Sequence, residues 1–453
     1  MSRTHLLATA ALACALSCSA AAAPAAASAS VPPPAGAHPS LPQVSSAQTG
    51  AGWLAGQLTS SGYIPSSTTP GQPDLAATAN TVLALVSAGV DPSGVHAALA
   101  YLASHVDAYV TVNGKDGPGQ LALLILDAHA AYANPRSFGG TDLVSRLLAT
   151  QRRSGLTAGL FGVQSATYDG VYRQGLSLTA LAAAGVSIGS QLTAAESWLE
   201  KQQCQGGGWT SLITSNNPCN GNPASFEGPD TNSTALAVMG LSAVGVLGPT
   251  RASSAWQFLV HAEDAGAGWG YEPNSTSAPG STDPDSTALV VQAILALGKS
   301  PSAPALVKGA ADPVSALHSF QLTSGTGSGA FFYPGSSTPN TLATYQSVPA
   351  MAEVKFPFDL TVTTHSLPAG AVGHRYSATI AARGGNPPYT WLVLPGSGAL
   401  PPGLSLDGST GVVSGTPTGT GTSRFVVRLD DTRVTTTPMT DNVGWKVFSI
   451  TVS

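Results

Sequence analysis

Charge is the scarcest property of this sequence. Of 453 residues, 18 are Lys or Arg and 23 are Asp or Glu, so charged residues make up 9%, against roughly 25% in an ordinary soluble protein. Disorder driven by charge excess is therefore excluded. A net charge of −5 with so few cations also excludes the dense basic face that nucleic acid requires. No stretch reaches the ~18 uninterrupted apolar residues of a membrane-spanning helix. Aromatic residues are only 6%, and there are four cysteines.

Hydrophobic residues are plentiful at 43%, and 51 Gly and 34 Pro imply many turns. The length suggests two or three domains. At the N-terminus, Arg3 and His5 precede an apolar stretch over residues 6–16 and small residues over 17–29. This is the pattern of an export signal over residues 1–29, followed by an Ala/Pro/Ser linker over 30–45. The expected location is secreted, extracellular or held at the cell envelope. Cys14 and Cys18 fall in the leader, leaving Cys204 and Cys219. An even count in an oxidising compartment reads as one disulfide. The rival readings are two free thiols, or a zinc site, which wants more Cys or paired His.

From about residue 46 the chain repeats itself at intervals of roughly fifty residues. Each unit is read as starting with an apolar pair that opens a short helix: Trp53-Leu54, Tyr101-Leu102, Leu147-Leu148, Trp198-Leu199, Phe258-Leu259 and a looser copy at Leu317. A Gly-aromatic turn follows, as at Gly62-Tyr63, Gly208-Trp209 and Gly268-Trp269. A second helix then begins with strict spacing. Asp74, Thr78 and Gly89 recur as Asp230, Thr234 and Gly245, and again as Asp283, Thr287 and Gly298. Asp before a helix caps its free N–H groups, and Gly just past the end supplies a left-handed C-cap. The residues between are nearly all apolar, which describes a helix buried on every side. Six hairpins of one outer and one buried inner helix can close into a double-layered α/α ring, with an open solenoid as the alternative.

Two motifs carry a family resemblance. Gln203, Gly207 and Trp209 fit the Q-x-x-x-G-x-W motif of squalene and terpene cyclases, and Asp283-Pro284-Asp285-Ser286-Thr287-Ala288-Leu289-Val290-Val291 looks like their D-x-D-D-T-A-V-V segment. Residues 46–354 thus resemble the prenyltransferase and squalene-oxidase repeat superfamily, which implies an α6/α6 toroid and hosts enzymes and non-enzymes alike. Residues 357–453 change texture to short alternating runs between turn clusters, the pattern of a β-sandwich. Leu400-Pro401-Pro402-Gly403-Leu404-Ser405-Leu406 and Gly411 to Pro417 resemble the Ig-like, cadherin-type modules of bacterial surface proteins. The expected fold class is therefore multidomain, an all-α α6/α6 toroid followed by an all-β Ig-like sandwich. Some relatives of such modules bind calcium. Asp430, Asp431 and Asp441 are the candidate ligands here, and the alternative is that they are turn residues. No other cofactor is expected.

With inner helices parallel, Asp74, Asp116, Asp169, Asp230, Asp283 and Asp285 circle one mouth of the ring, with Glu227 and Glu272 in the preceding loops. Each Asp serves either as a helix cap or as part of a ligand or catalytic site. The resemblance implies that Asp285, the middle Asp of the motif, is a general acid flanked by Asp283, in a class II terpene cyclase-like enzyme. Ser286 replaces the motif's last Asp, and the cavity-lining aromatics that stabilise carbocations are few. The reading favoured is a secreted non-catalytic binding or interaction protein, acting as a monomer. Its partner is a cell-surface ligand or a small molecule: apolar, a glycan or, by outline similarity to cobalamin carriers, a corrinoid. A glycosidase-like carboxylate pair is a further enzymatic option.

Overall fold

The computed structural model describes residues 41–453, except 132, 166–167, 188, 212–227, 274–281, 359, 363, 365, 385–387, 394–397 and 431–442. The expected export signal, Cys219, Glu227, Asp431 and Asp441 lie outside the described residues.

Six helical hairpins follow one another. The outer helices are α1 (Leu41–Ala55), α3 (Pro92–Ser104) with its short extension α4 (Val106–Val110), α6 (Leu143–Ala149), α8 (Ser190–Lys201), α10 (Pro249–Ala262) and α12 (Pro313–His318). The inner helices are α2 (Leu75–Ala88), α5 (Pro118–Ala130), α7 (Val171–Ala183), α9 (Thr231–Ala243), α11 (Pro284–Ala296) and α13 (Thr341–Met351). Two small hairpins, β1 (Ile64–Pro65) with β2 (Pro73–Asp74) and β3 (Thr111–Val112) with β4 (Lys115–Asp116), lead into the first two inner helices.

The inner helices touch in the order α2, α5, α7, α9, α11, α13 and back to α2, so the ring is closed. The closure is fastened by Gln321, whose Nε2 donates to the carbonyl of Ser46 on α1 at 2.8 Å and to that of Gly329 at 2.8 Å. Gln151 and Gln203 make the same clasp between neighbours, reaching the carbonyls of Gln191 and Arg251. The inner helices are buried on all sides, as their apolar sequences require; in α9 every residue from 231 to 241 is buried. The closest crossing joins α7 to α9. A Cβ at Gly175 would lie 2.2 Å from the Leu236 carbonyl oxygen, so only glycine allows the two backbones to approach this far.

The repeated Thr has a role that its spacing alone does not give. Thr78, Thr234 and Thr344 donate to the carbonyl of the capping residue four positions back, each at 2.6 Å. The same hydroxyls accept the N–H of the turn residue: Ile64 at 2.9 Å, Trp209 at 2.8 Å and Phe331 at 2.9 Å. Gln174 does this for Phe161 in the third unit. One side chain therefore ties the turn to the inner helix. The apolar pairs, by contrast, close the outer helices and do not open them: Trp53-Leu54 ends α1, and Trp198-Leu199 ends α8. Apolar periodicity marks which face of a helix is buried but not where the helix begins.

The C-terminal module holds β5 (Leu360–Val362), β6 (Tyr376–Thr379), β7 (Ala382–Gly384), β8 (Thr390–Val393), β9 (Leu404–Leu406), β10 (Val412–Gly415), β11 (Gly421–Asp430) and β12 (Val443–Val452). Its antiparallel sheets have the orders β6-β10-β9, β12-β11-β8 and β5-β7. Phe425, Val427 and Leu429 of β11 lie in one core with Phe448, Ile450 and Val452 of the adjacent β12, the period-two pattern of a sandwich. The opposite face of β11, with Val426, Arg428 and Asp430, is buried too. From that face Arg428 acts electrostatically on Glu353 at the end of the toroid.

Candidate functional site

The inner helices place their N-termini at one mouth. Asp74 caps α2, accepting from the N–H of Ala77 at 2.8 Å. Asp230 caps α9, accepting from Ser233 N at 2.6 Å, Ser211 N at 3.0 Å and the Tyr271 hydroxyl. Asp283 caps α11, accepting from Ser286 N at 2.7 Å and Ser286 Oγ at 2.9 Å. Asp285, in the first turn of α11, accepts a hydrogen bond from the Tyr333 hydroxyl on Oδ2, while its Oδ1 is buried without a partner among the described residues.

Asp116 and Asp169 are not caps; glycines 117 and 170 take that position. Arg146 grips Asp116 with two bonds, Nε to Oδ2 at 2.8 Å and Nη2 to Oδ1 at 2.6 Å, and Thr111 adds a third. Asp169 has a fully buried side chain that accepts from Arg173 at 2.7 Å and from Ser165 N at 2.8 Å. Glu272 is half-buried beside Tyr271.

The electrostatics divide along the same line. The Arg146 guanidinium holds the Asp116 carboxyl below the usual range. On the other arc burial disfavours the charged form. It pushes Asp230 up to about 7 and Asp283 up to about 6, in both cases against the opposing pull of their hydrogen bonds. Asp285 is raised well above the ordinary value by burial first and by the neighbouring Asp283 second. Burial raises Tyr172, Tyr333 and Tyr345, and the Asp285 carboxylate adds to the rise in each, which places all three around it.

The sequence singled out the carboxylates and missed these tyrosines. A signal existed. Tyr271 and Tyr333 each stand two residues after the turn aromatic, Trp269 and Phe331, and each reaches back to an Asp of the preceding unit.

Below the mouth the axis encloses a cavity of about 40 Å³, lined by Leu83, Leu123, Leu176, Leu236, Leu289 and Phe356 among others. Small-molecule pockets run to ~300–1,000 Å³, so the axis is essentially filled. Among the described residues no three His, Cys, Asp or Glu side chains converge as a metal site. In the Ig-like module Asp430 turns its carboxylate to Arg428 at 2.5 Å. Cys204 is buried behind the turn at Gly207. Among the described residues no helix is long and apolar enough to cross a membrane.

No curated protein matches the chain. Among solved structures, a type II terpene cyclase, MstE from Scytonema, is 15% identical over 69% of this chain and 98% of its own, with a TM-score of 0.48. An α-1,6-mannanase of Salegentibacter, in complex with α-1,6-mannotriose, is 11% identical over 69% of this chain and 98% of its own, with a TM-score of 0.50. A candidate α-galactosidase from Bacteroides fragilis is 21% identical over 21% of this chain; that match spans 17% of its length, with a TM-score of 0.17. At these identities the likeness is one of fold. Residues 125–283 match the family described as "Squalene-hopene cyclase C-terminal domain", and residues 358–452 the one described as "Putative Ig domain". The chain joins a toroid similar to that cyclase domain to an Ig-like module.

Proposed function

We propose that the chain is an exported, non-catalytic binding protein that meets its ligand at the carboxylate–tyrosine mouth of the ring, and that the ligand is a glycan. The observation that carries this reading is the filled axis. An apolar molecule or a corrinoid needs an enclosed volume far above 40 Å³, whereas a sugar needs flat apolar faces and hydroxyl-sized hydrogen-bonding groups. Tyr271 and Tyr333 are half-buried at the mouth, where Asp230, Asp283 and Ser211 supply acceptors and donors. Export rests on the leader pattern of residues 1–29, and the Cys204–Cys219 bridge on the even count of cysteines outside it.

Asp285 favours a second reading, a cyclase-like acid. A carboxyl whose burial favours the protonated form is what proton donation to an alkene requires, and Tyr333 donates to it. One set of assays separates the two. Calorimetric titration with oligosaccharides, α-1,6-mannotriose among them, is expected to give saturable binding that Tyr271→Ala abolishes. Incubation with squalene, oxidosqualene and a C20 prenyl diphosphate is expected to give no cyclic product. A product formed by wild type and lost in Asp285→Asn would overturn the binding reading.

A further inference from the structure

Among the described residues, Phe356 is the one lining the axial cavity that no inner helix supplies. It belongs to the segment joining the toroid to the Ig-like module. After α13 ends, Glu353 adopts a left-handed conformation with φ 51°, and the N–H of Val354 returns to the Pro349 carbonyl at 3.1 Å. The chain thus folds back under the C-terminal ends of the inner helices and sends Phe356 into the axis. Phe358 packs edge-on against it, with centroids 5.1 Å apart and planes at 62°. The Phe358 carbonyl accepts from Nε2 of His129, in the last turn of α5, at 3.2 Å. The segment is therefore fastened on both sides of Phe356. Arg428 of β11 faces Glu353 from the module itself, so the module sits over the same end of the ring.

We propose that Phe356 is an internal ligand that holds the axis shut, and that the fastening of the segment at His129 determines whether it stays there. When Phe356 is displaced, the axis becomes a site for a flat aromatic molecule of about the size of its own ring, held by five leucines of the inner helices with Asn80, Tyr172, Gln292, Tyr345 and Gln346 beside them. A cavity of about 40 Å³ is too small for such a molecule, whereas dry apolar cavities of ~150 Å³ do bind benzene. The phenyl ring of Phe356 occupies much of the difference. Phe356 enters the axis from the end opposite the mouth, while Tyr172 and Tyr345 line the cavity from the side of Asp285; the proposal does not rest on glycan binding at the mouth.

The test uses the full chain and toluene as probe, read by thermal melting and saturation-transfer NMR. Wild type is expected to give no toluene-dependent rise in Tm. Phe356→Ala is expected to bind at least tenfold more tightly, with Phe356→Val as a milder version should the alanine variant fail to fold. Adding Leu123→Phe, which refills the axis from its wall, removes the response and so maps the probe to the ring. His129→Ala, which keeps Phe356 but loosens the segment, gives an intermediate response. A folded Phe356→Ala or Phe356→Val that ignores toluene, or a response that survives Leu123→Phe, overturns the internal-ligand assignment. A His129→Ala indistinguishable from wild type overturns the role of the fastening.

Discussion

Two arcs of the same mouth treat buried carboxylates in opposite ways. On one, Asp116 and Asp169 are paired with the guanidinium groups of Arg146 and Arg173. On the other, Asp230, Asp283 and Asp285 accept, among the described residues, from serines, tyrosines and backbone N–H groups, and burial drives them toward the protonated form. The repeat fixes where a carboxylate stands, and for Asp169, Asp230 and Asp283 the first helical turn after it supplies the partner. Arg173 follows Asp169, whereas Ser233 follows Asp230 and Ser286 follows Asp283. In a chain with so few cations, the proton is the remaining counter-charge.

Removing a cation from the first arc should have the largest effect. Arg173→Met leaves Asp169 buried and unpaired, and breaking a buried pair in this way costs about 3–5 kcal/mol. Denaturant melts at pH 7 measure this, and adding Asp169→Asn should recover most of the loss. If the single variant costs under about 1 kcal/mol, the two arcs do not differ as described.

The second arc should instead reveal itself through pH. Asp230 titrates at about 7 when folded against 3.8 as its ordinary value, so the folded state holds the extra proton between these limits. Stability is then fully present below about pH 4 and is lost as pH rises toward 7, by an amount on the order of a few kcal/mol. Asp230→Asn keeps a capping acceptor and removes the titration, so its stability should change less across pH 4–7 than that of wild type. Parallel profiles for the two proteins would contradict the assignment.

The smallest effect belongs to a carboxylate outside both arrangements. Asp74 caps α2 with a single bond to Ala77, so Asp74→Ala should cost about 1 kcal/mol, with no dependence on Arg146 or Tyr333 in double-mutant cycles.

How much of this was legible in the sequence follows from the range of each interaction. The Asp–Thr–Gly spacing of the inner helices is local, and capping chemistry makes it readable; Asp74, Asp230 and Asp283 cap as that spacing implies. The pairing of Asp169 with Arg173 is four residues apart and equally open to view. Asp116 and Arg146 are 30 residues apart, and nothing local points from one to the other. The tyrosines escaped because each lies beside an Asp of another repeat and not of its own. Phe356 escaped because a single aromatic between two domains has no period at all.

The clasp from Gln321 to Ser46 has one consequence that concerns the whole toroid. An open array of hairpins has terminal repeats with one neighbour each, and it can lose structure from those ends. In a closed ring every hairpin has two neighbours, and the first is no more terminal than the fourth. Its unfolding therefore lacks a natural starting point, and partial melting must break two interfaces at once. The same closure brings the two ends of the toroid's chain together, so that where the chain starts around the circle is a matter of connectivity and not of architecture.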